Sequence, residues 1–195
     1  MTDDHDEPQY PLEIAVMGEL TEHEPDLCEK LLAVPPGGEV TLYFNSPGGS
    51  AYAAMSLASI IKLRNLQATG VVTGECSSAA LWPFAACIKR LVTPHSVALF
   101  HPMKWESEEH VGIAEAAEWA RHFSLLEKEM DQLLADLFGI SLEVIAPWMR
   151  PGRYVSGREL AAAGLAEITP LSFLAHLQPT EPPPSPKSKA KSKSK

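Results

Sequence analysis

The sequence predicts a single α/β domain, and two observations lead to that prediction. Short apolar runs alternate along the chain with stretches of helical character, and this alternation is typical of α/β folds with crossover connections. The chain has 195 residues, of which 45% are apolar. A chain of this length and composition buries a sizeable core without metals or disulfides.

The first half of the chain predicts three buried strands separated by two helices. In chain order we expect a strand at 12–17, a helix at 25–33, a strand at 40–44, a helix at 52–63 and a strand at 68–73. A turn, Asn45-Ser46-Pro47-Gly48-Gly49-Ser50, follows the second strand and has proline and glycine in turn-favouring order.

The second half predicts a helix that Ser78 opens and that runs to about residue 87, then short strands at 91–92 and 97–100. The last of these strands ends directly before His101. A long helical pattern runs from 111 to 138, and Gly139 is a natural helix stop. This helix is longer than a core of this size needs. The predicted domain covers residues 12–178, after a flexible acidic segment at 1–11.

Ser78 and His101 are the candidate catalytic residues. A serine hydroxyl becomes a good nucleophile only when a base takes its proton, and neutral imidazole is the usual base near neutral pH. Acyl transfer also needs backbone N–H groups aimed at the developing oxyanion, and a Gly-Gly turn lets the backbone approach a substrate. Each feature also has a structural explanation: tight helix packing for the small residues around Ser78, a hydrogen-bonded strand end for His101, and an ordinary turn for the glycines.

The order and spacing of these features is more specific than any one of them. The matching segments are Leu42-Tyr43-Phe44-Asn45-Ser46-Pro47-Gly48-Gly49, Gly74-x-x-x-Ser78, Pro94-x-Ser96-x-x-x-x-His101-Pro102, and Tyr154-Val155-Ser156-x-x-Glu159 with Gly164-Leu165. Together they resemble the proteolytic subunit of the Clp protease, over about residues 12–168. The resemblance implies a crotonase-like ββα-repeat core with a protruding long handle helix. It assigns Ser78 as nucleophile, His101 as general base, and the backbone N–H groups of Gly49 and Ala79 as the oxyanion hole.

One member of the expected triad is missing. Gly152 stands where the family carries the triad aspartate. In a chymotrypsin-like triad, an amide at the acid position lowers turnover by roughly 10⁴-fold. Another carboxylate could substitute, and Glu143 and Glu167 are the acids nearest in sequence to this segment. Otherwise the pair works as a slow dyad, or the chain is not an enzyme.

Composition restricts the other functional classes. The net charge is −9, although five lysines lie in the last nine residues, so the body is strongly acidic. A phosphate-binding face is normally basic, which argues against a nucleic-acid enzyme. The tail at 179–195, rich in Pro, Ser and Lys, is expected to be disordered. It is either a solubilising tail or an electrostatic tether to an anionic surface or to nucleic acid.

Cysteine spacing and the chain's N-terminus predict neither a metal site nor export. The three cysteines have no C-x-x-C spacing, and an odd number argues against a disulfide framework. The first seven residues are acidic and polar rather than signal-like, and no apolar run approaches the ~20 residues of a membrane span. We expect a cytoplasmic protein that needs no cofactor or metal and has no membrane partner.

Three functional hypotheses remain. The first is a serine endopeptidase subunit that cleaves unfolded polypeptides inside an oligomeric chamber, with self-association into rings and an AAA+ unfoldase as partner. The chain lacks a G-x-x-x-x-G-K-[ST] motif, so it cannot supply that ATPase itself. The second is a catalytically weak or inactive subunit of a mixed ring, which Gly152 favours. The third, an acyl-CoA-handling relative, has no use for a serine–histidine pair.

Overall fold

The computed structural model describes residues 11–105 and 110–171. The expected acidic segment lies almost entirely outside this range. The lysine-rich tail, the end of the predicted domain at 172–178 and part of the segment between His101 and the long helix are also outside the described residues.

Strands and helices alternate along most of the described chain. The strands are β1 (Leu12–Glu19), β2 (Glu39–Gly48), β3 (Gln67–Cys76), β4 (Lys89–Val92), β5 (Val97–Phe100), β6 (Arg153–Ser156) and β7 (Glu167–Ile168). The helices are α1 (Leu20–Ala33), α2 (Ala51–Leu63), α3 (Leu81–Ala86), α4 (Ile113–Phe138), α5 (Leu142–Met149) and α6 (Gly157–Ala162). A 3₁₀ turn, Ser78–Ala80, precedes α3.

The main sheet is parallel, with the strand order β1-β2-β3-β4-β7. Towards its carboxyl end, β3 also pairs with β5 through Glu75 and Val97, and β5 pairs antiparallel with β6. The sheet therefore divides along β3: residues Thr69 to Val72 pair with β4, and Glu75, nearer the carboxyl end, pairs with β5. The residues that follow β2, β3 and β5 are brought to the same edge of the sheet, because these strands run parallel.

The α/β prediction is confirmed. The core consists of the inward faces of the central strands, which α2, α3 and the second half of α4 cover. Phe44 from β2 and Phe138 from α4 both make edge-to-face contacts with Phe84 of α3, which connects these three elements through aromatic packing.

The element boundaries differ from the predicted ones mainly at turns. Helix α1 begins at Leu20 and not at residue 25, and Pro25 lies inside it. The proline costs one backbone hydrogen bond, but Leu20, Leu27 and Leu31 form one buried face that holds the first turn. Strand β2 continues to Gly48, so only Gly49 and Ser50 of the predicted turn lie between this strand and α2.

Helix α4 protrudes over its first half. No side chain between Ile113 and Leu125 is fully buried, and Ile113 is 92% exposed. The buried residues begin at Leu126 and continue to Phe138. The helix ends at Gly139 in the left-handed conformation (φ +73°), as predicted. None of the helices in the described ranges is both long enough and apolar enough to cross a bilayer.

Candidate active site

Ser78 adopts an unusual backbone conformation at the carboxyl end of β3. Its φ is +52°, in the left-handed region, where residues other than glycine are uncommon. Such a conformation costs of order 1–3 kcal/mol and persists only where the surrounding structure enforces it. Ser78 is only half-buried although both neighbours, Ser77 and Ala79, are buried. The strained turn therefore leaves the Ser78 side chain partly accessible to solvent, while the residues on either side of it are buried.

The glycine turn after β2 lies against this serine. Gly48 has φ +106°, and a Cβ on it would lie 2.7 Å from Ser78 Cβ and 2.8 Å from Ala79 N. Gly49 has φ +138°, and a Cβ there would lie 2.7 Å from Thr21 Oγ1. Both positions therefore require glycine, for space and for backbone conformation.

Polar side chains of the same motif hold the three segments together. Ser46 Oγ donates to the Gly18 carbonyl at 2.6 Å and accepts from Gly48 N at 3.2 Å. Ser77 Oγ accepts from Leu99 N at 3.1 Å, which connects the segment that carries Ser78 to the strand that ends before His101. Asn45 Oδ1 accepts from Glu75 N at 3.1 Å, at the register shift between β2 and β3. These hydrogen bonds set the relative positions of Ser78 and His101, and no pattern in the sequence indicated them.

His101 follows β5 directly and is half-buried. Its Nδ1 lies 2.6 Å from the carbonyl oxygen of Pro102. A carbonyl oxygen only accepts, so Nδ1 carries the proton, and in the neutral ring Nε2 is then the basic nitrogen. This is the tautomer that a general base acting through Nε2 needs.

The four predicted site residues line one cavity of about 360 Å³. Gly49, Ser78 and Ala79 form one side and His101 another. Much of the remaining wall comes from the middle of α4, with Phe123, Leu126, Glu127, Met130 and Asp131. Trp82 Nε1 donates to the Met130 carbonyl at 2.9 Å, which fixes this helix next to the serine-bearing segment.

Ser78 and His101 do not form a direct hydrogen bond. Within the part of the chain that the structure describes, the partner of the His101 ring is the Pro102 carbonyl, and Ser78 Oγ has no side-chain partner. Catalytic hydrogen bonds are often long in proteins without substrate and shorten when substrate binds.

Gly152 lies beside His101, at the position expected for the triad acid. Phe100 pairs with Arg153 in the antiparallel ladder of β5 and β6. Gly152, which precedes Arg153, therefore lies next to His101, which follows Phe100. A Cβ on Gly152 would lie 3.3 Å from His101 Cβ and 3.5 Å from the Phe100 carbonyl oxygen, and φ is +122°. The position therefore lacks a carboxylate and also has a backbone conformation that other residues rarely adopt.

Neither acid considered as a substitute contacts His101. Glu143 lies in the first turn of α5, where its N–H donates to Ser141 Oγ. Glu167 belongs to β7 and pairs with Leu91 in the main sheet. The sequence suggested these two residues only because they lie close to Gly152 along the chain.

Two other carboxylates, Glu127 and Asp131, reach the site from α4. Glu127 Oε1 accepts from Met103 N at 2.9 Å, and Glu127 Oε2 lies 3.2 Å from Arg150 Nη2. Asp131 Oδ2 accepts from Arg150 Nη1 at 2.8 Å. Burial raises the pKa of Asp131, against the lowering effect of Arg150. Helical periodicity pointed to the apolar residues of α4, so these inward-facing acids gave no signal in the sequence.

The buried cysteines are poor rivals to Ser78 as nucleophiles. Cys76 is two residues from Ser78, but burial raises the pKa of its thiol well above the usual value, and Sγ donates to the Ala80 carbonyl. Burial also raises the pKa of Cys87 to about 12. Because the thiolate is the reactive form, both thiols are inert near neutral pH. The described residues contain no cluster of three or more His, Cys, Asp or Glu side chains suited to a metal ion.

Known proteins resemble this chain over most of the described region. A profile of the Clp protease family matches residues 12–169. The chain is 30% identical to an ATP-dependent Clp protease proteolytic subunit of Bacteroides fragilis over 115 residues, which are 58% of this chain and 55% of that protein. It is also 30% identical to ATP-dependent Clp protease proteolytic subunit 2 of Mycolicibacterium paratuberculosis over 147 residues, 72% of each chain.

The extent of these matches differs among relatives. The chain spans about half the length of the Bacteroides proteins that it matches and 72% of the mycobacterial subunit. The family profile, in contrast, covers the chain from the start of β1 to just beyond β7. The match therefore includes every strand and helix described above, and this chain belongs to the Clp protease family.

Proposed function

We propose that the chain is a serine endopeptidase subunit in which Ser78 is the nucleophile and His101 the general base. The observation that supports this most strongly is the left-handed conformation of Ser78, a strained non-glycine residue that points into the cavity shared with His101. Backbone strain of this kind is concentrated at functional sites. A purely structural serine at this position gains nothing from the strain.

The reaction follows from the protonation state of His101. Nε2 takes the proton of Ser78 Oγ as the oxygen attacks the substrate carbonyl carbon, and a tetrahedral oxyanion forms. Nε2 then gives that proton to the leaving amine as the C–N bond breaks, which leaves an acyl-enzyme. Nε2 next takes a proton from water as the water oxygen attacks the acyl carbon, and it returns that proton to Ser78 Oγ as the acyl C–O bond breaks, which releases the carboxylic acid and regenerates Ser78.

Backbone N–H groups stabilise the oxyanion in this proposal. Gly49 and Ala79 both line the cavity beside Ser78. The contact between Gly48 and Ala79 N keeps the two backbone segments adjacent. Donors fixed in this way need no reorganisation during the reaction, and loss of one such donor typically costs about 10²–10³ in rate.

A weakly active or inactive subunit of a mixed ring is the second candidate. Gly152 favours it, because the acid that would orient His101 and stabilise its imidazolium form is absent there. The chamber and its partners belong to the same proposal. We expect self-association into rings, unfolded polypeptides as substrates and an AAA+ unfoldase as partner. The relatives are named as ATP-dependent proteolytic subunits, which is consistent with a separate ATPase partner.

Labelling with a fluorophosphonate probe tests the proposed function. The wild type should be labelled at Ser78, as mapped by peptide mass spectrometry, and Ser78→Ala should not be labelled. His101→Ala should be labelled at least about 100-fold more slowly, because general-base assistance contributes roughly 10²–10⁴.

Ser124→Ala is the matched control for this experiment, since Ser124 is exposed on α4. It should be labelled like the wild type. Equal labelling of Ser78→Ala and wild type would refute the assignment of Ser78. If the wild type forms an intact oligomer but is not labelled at Ser78, the inactive subunit is favoured.

A further inference from the structure

One peptide group connects His101 to a carboxylate on α4. The Pro102 carbonyl oxygen accepts from His101 Nδ1 at 2.6 Å. The N–H of the same peptide unit, Met103 N, donates to Glu127 Oε1 at 2.9 Å. The histidine, the Pro102–Met103 peptide and the carboxylate therefore form a continuous chain of two hydrogen bonds.

We infer that Glu127 acts through this peptide as a positioning residue for His101, in place of the acid missing at Gly152. This inference rests on the proposed role of His101 as general base. A negative charge at the N–H end of a peptide group polarises the group and increases the electron density on its carbonyl oxygen. The oxygen then becomes a better acceptor, since hydrogen bonds in a chain strengthen one another. The carbonyl thus holds the ring in the tautomer with Nε2 free, and the distant charge stabilises the imidazolium form.

The surroundings of Glu127 support this role. Its side chain is only 25% exposed, so its field is less screened by water than that of a surface glutamate. Its second oxygen, Oε2, lies 3.2 Å from Arg150 Nη2, which fixes the orientation of the carboxylate. Arg150 also binds Asp131, so one guanidinium is shared by two carboxylates and the group as a whole keeps a negative charge.

The connection also explains how the site accommodates glycine at position 152. The carbonyl that accepts from Nδ1 belongs to the residue directly after His101 and therefore does not depend on the neighbouring strand. The acid of an ordinary triad contacts Nδ1 directly, but at position 152 the backbone φ of +122° disfavours every residue that would carry such an acid.

Glu127→Gln tests the inference, since the amide oxygen still accepts from Met103 N but the charge is lost. Fluorophosphonate labelling of Ser78 should slow roughly fivefold, which corresponds to about 1 kcal/mol. A charge-assisted hydrogen bond is roughly twice as strong as a neutral one, which sets this scale. Glu129→Gln is the matched control: it is the same substitution on the same helix, two residues away and exposed. Its labelling rate should equal that of the wild type.

A spectroscopic measurement separates this role from a merely structural one. Magic-angle-spinning NMR of protein with ¹⁵N-labelled histidine reports the Nδ1–H proton of His101, identified by its loss in His101→Ala. The resonance should move upfield in Glu127→Gln, as its hydrogen bond weakens, and stay unchanged in Glu129→Gln. This measurement needs no activity, so it remains informative even if labelling of Ser78 fails.

Each outcome distinguishes the inference from the proposed function. Slower labelling together with the upfield shift supports the role of Glu127. An unshifted resonance overturns it, whatever the labelling rate, and so does an unchanged rate in a protein that is labelled at Ser78. Failure of Ser78 labelling in the wild type refutes the proposed function alone.

Discussion

Replacing Gly152 by aspartate would restore the carboxyl group of an ordinary triad, but the backbone at this position opposes the change. Its φ of +122° is a conformation that L-residues rarely adopt, and an added Cβ would lie 3.3 Å from His101 Cβ. The conformational strain is about 1–3 kcal/mol. Replacing glycine also lowers the conformational entropy of the unfolded chain, which stabilises the folded state by about 0.4–1 kcal/mol. The net destabilisation is therefore about 1–2 kcal/mol.

Thermal unfolding at fixed protein concentration measures this cost. A chain of roughly 150–250 residues loses about 2–4 °C in Tm per kcal/mol, so Gly152→Asp should unfold about 2–8 °C below the wild type. Gly152→Ala is the matched variant, since it carries the same backbone strain without a carboxylate. The expected result is a similar loss of Tm in both variants and no increase in peptide hydrolysis by Gly152→Asp.

Two results would refute this reasoning. If Gly152→Ala were as stable as the wild type, the strain assigned to the backbone would be absent. If Gly152→Asp raised kcat tenfold or more, the chain would accommodate a direct acid, and His101 would lack an adequate substitute in the natural protein.

The remaining predictions concern assembly and pH. The exposed first half of α4 should be covered in an oligomer, so light scattering at micromolar concentration should report a ring or stacked rings. Ile113→Asp should give a smaller species. A stable wild-type monomer would contradict both functional candidates. Burial raises the pKa of Asp131, so the folded state takes up this proton at higher pH than the unfolded state, and its contribution to stability grows as the pH falls through the folded-state value. Asp131→Asn should abolish this contribution. The difference in free energy of unfolding between the wild type and Asp131→Asn, measured by denaturant unfolding, should therefore change with pH. A difference that stays constant across pH would contradict this prediction.

The α/β fold and the candidate pair could be predicted from the amino-acid sequence alone. Alternating apolar runs require burial on a sheet covered by helices, and this pattern is local, so the strands as far as residue 100 and the long helix were predictable to within a few residues. The later elements β6, β7, α5 and α6 were not predicted. The glycine turn, Ser78 and His101 were recognisable because they lie in short contiguous motifs. The gap at Gly152 was visible for the same reason.

The start of α1 was mispredicted because a local rule about proline gave way to tertiary packing. Pro25 indicates a helix start when considered alone. Burial of Leu20 together with Leu27 nevertheless extends the helix five residues towards the N-terminus. The energy of that buried face exceeds the cost of one missing hydrogen bond.

The surroundings of His101, in contrast, depend on how distant elements pack together. Glu127 lies 26 positions after His101 along the chain, and its carboxylate reaches the site because Trp82 holds α4 against the serine-bearing segment. The left-handed turn at Ser78 and the shared peptide between His101 and Glu127 likewise depend on elements distant in sequence. A hydrogen bond to a backbone group leaves no signature in residue identity, because every residue except proline carries the same N–H and every residue the same carbonyl.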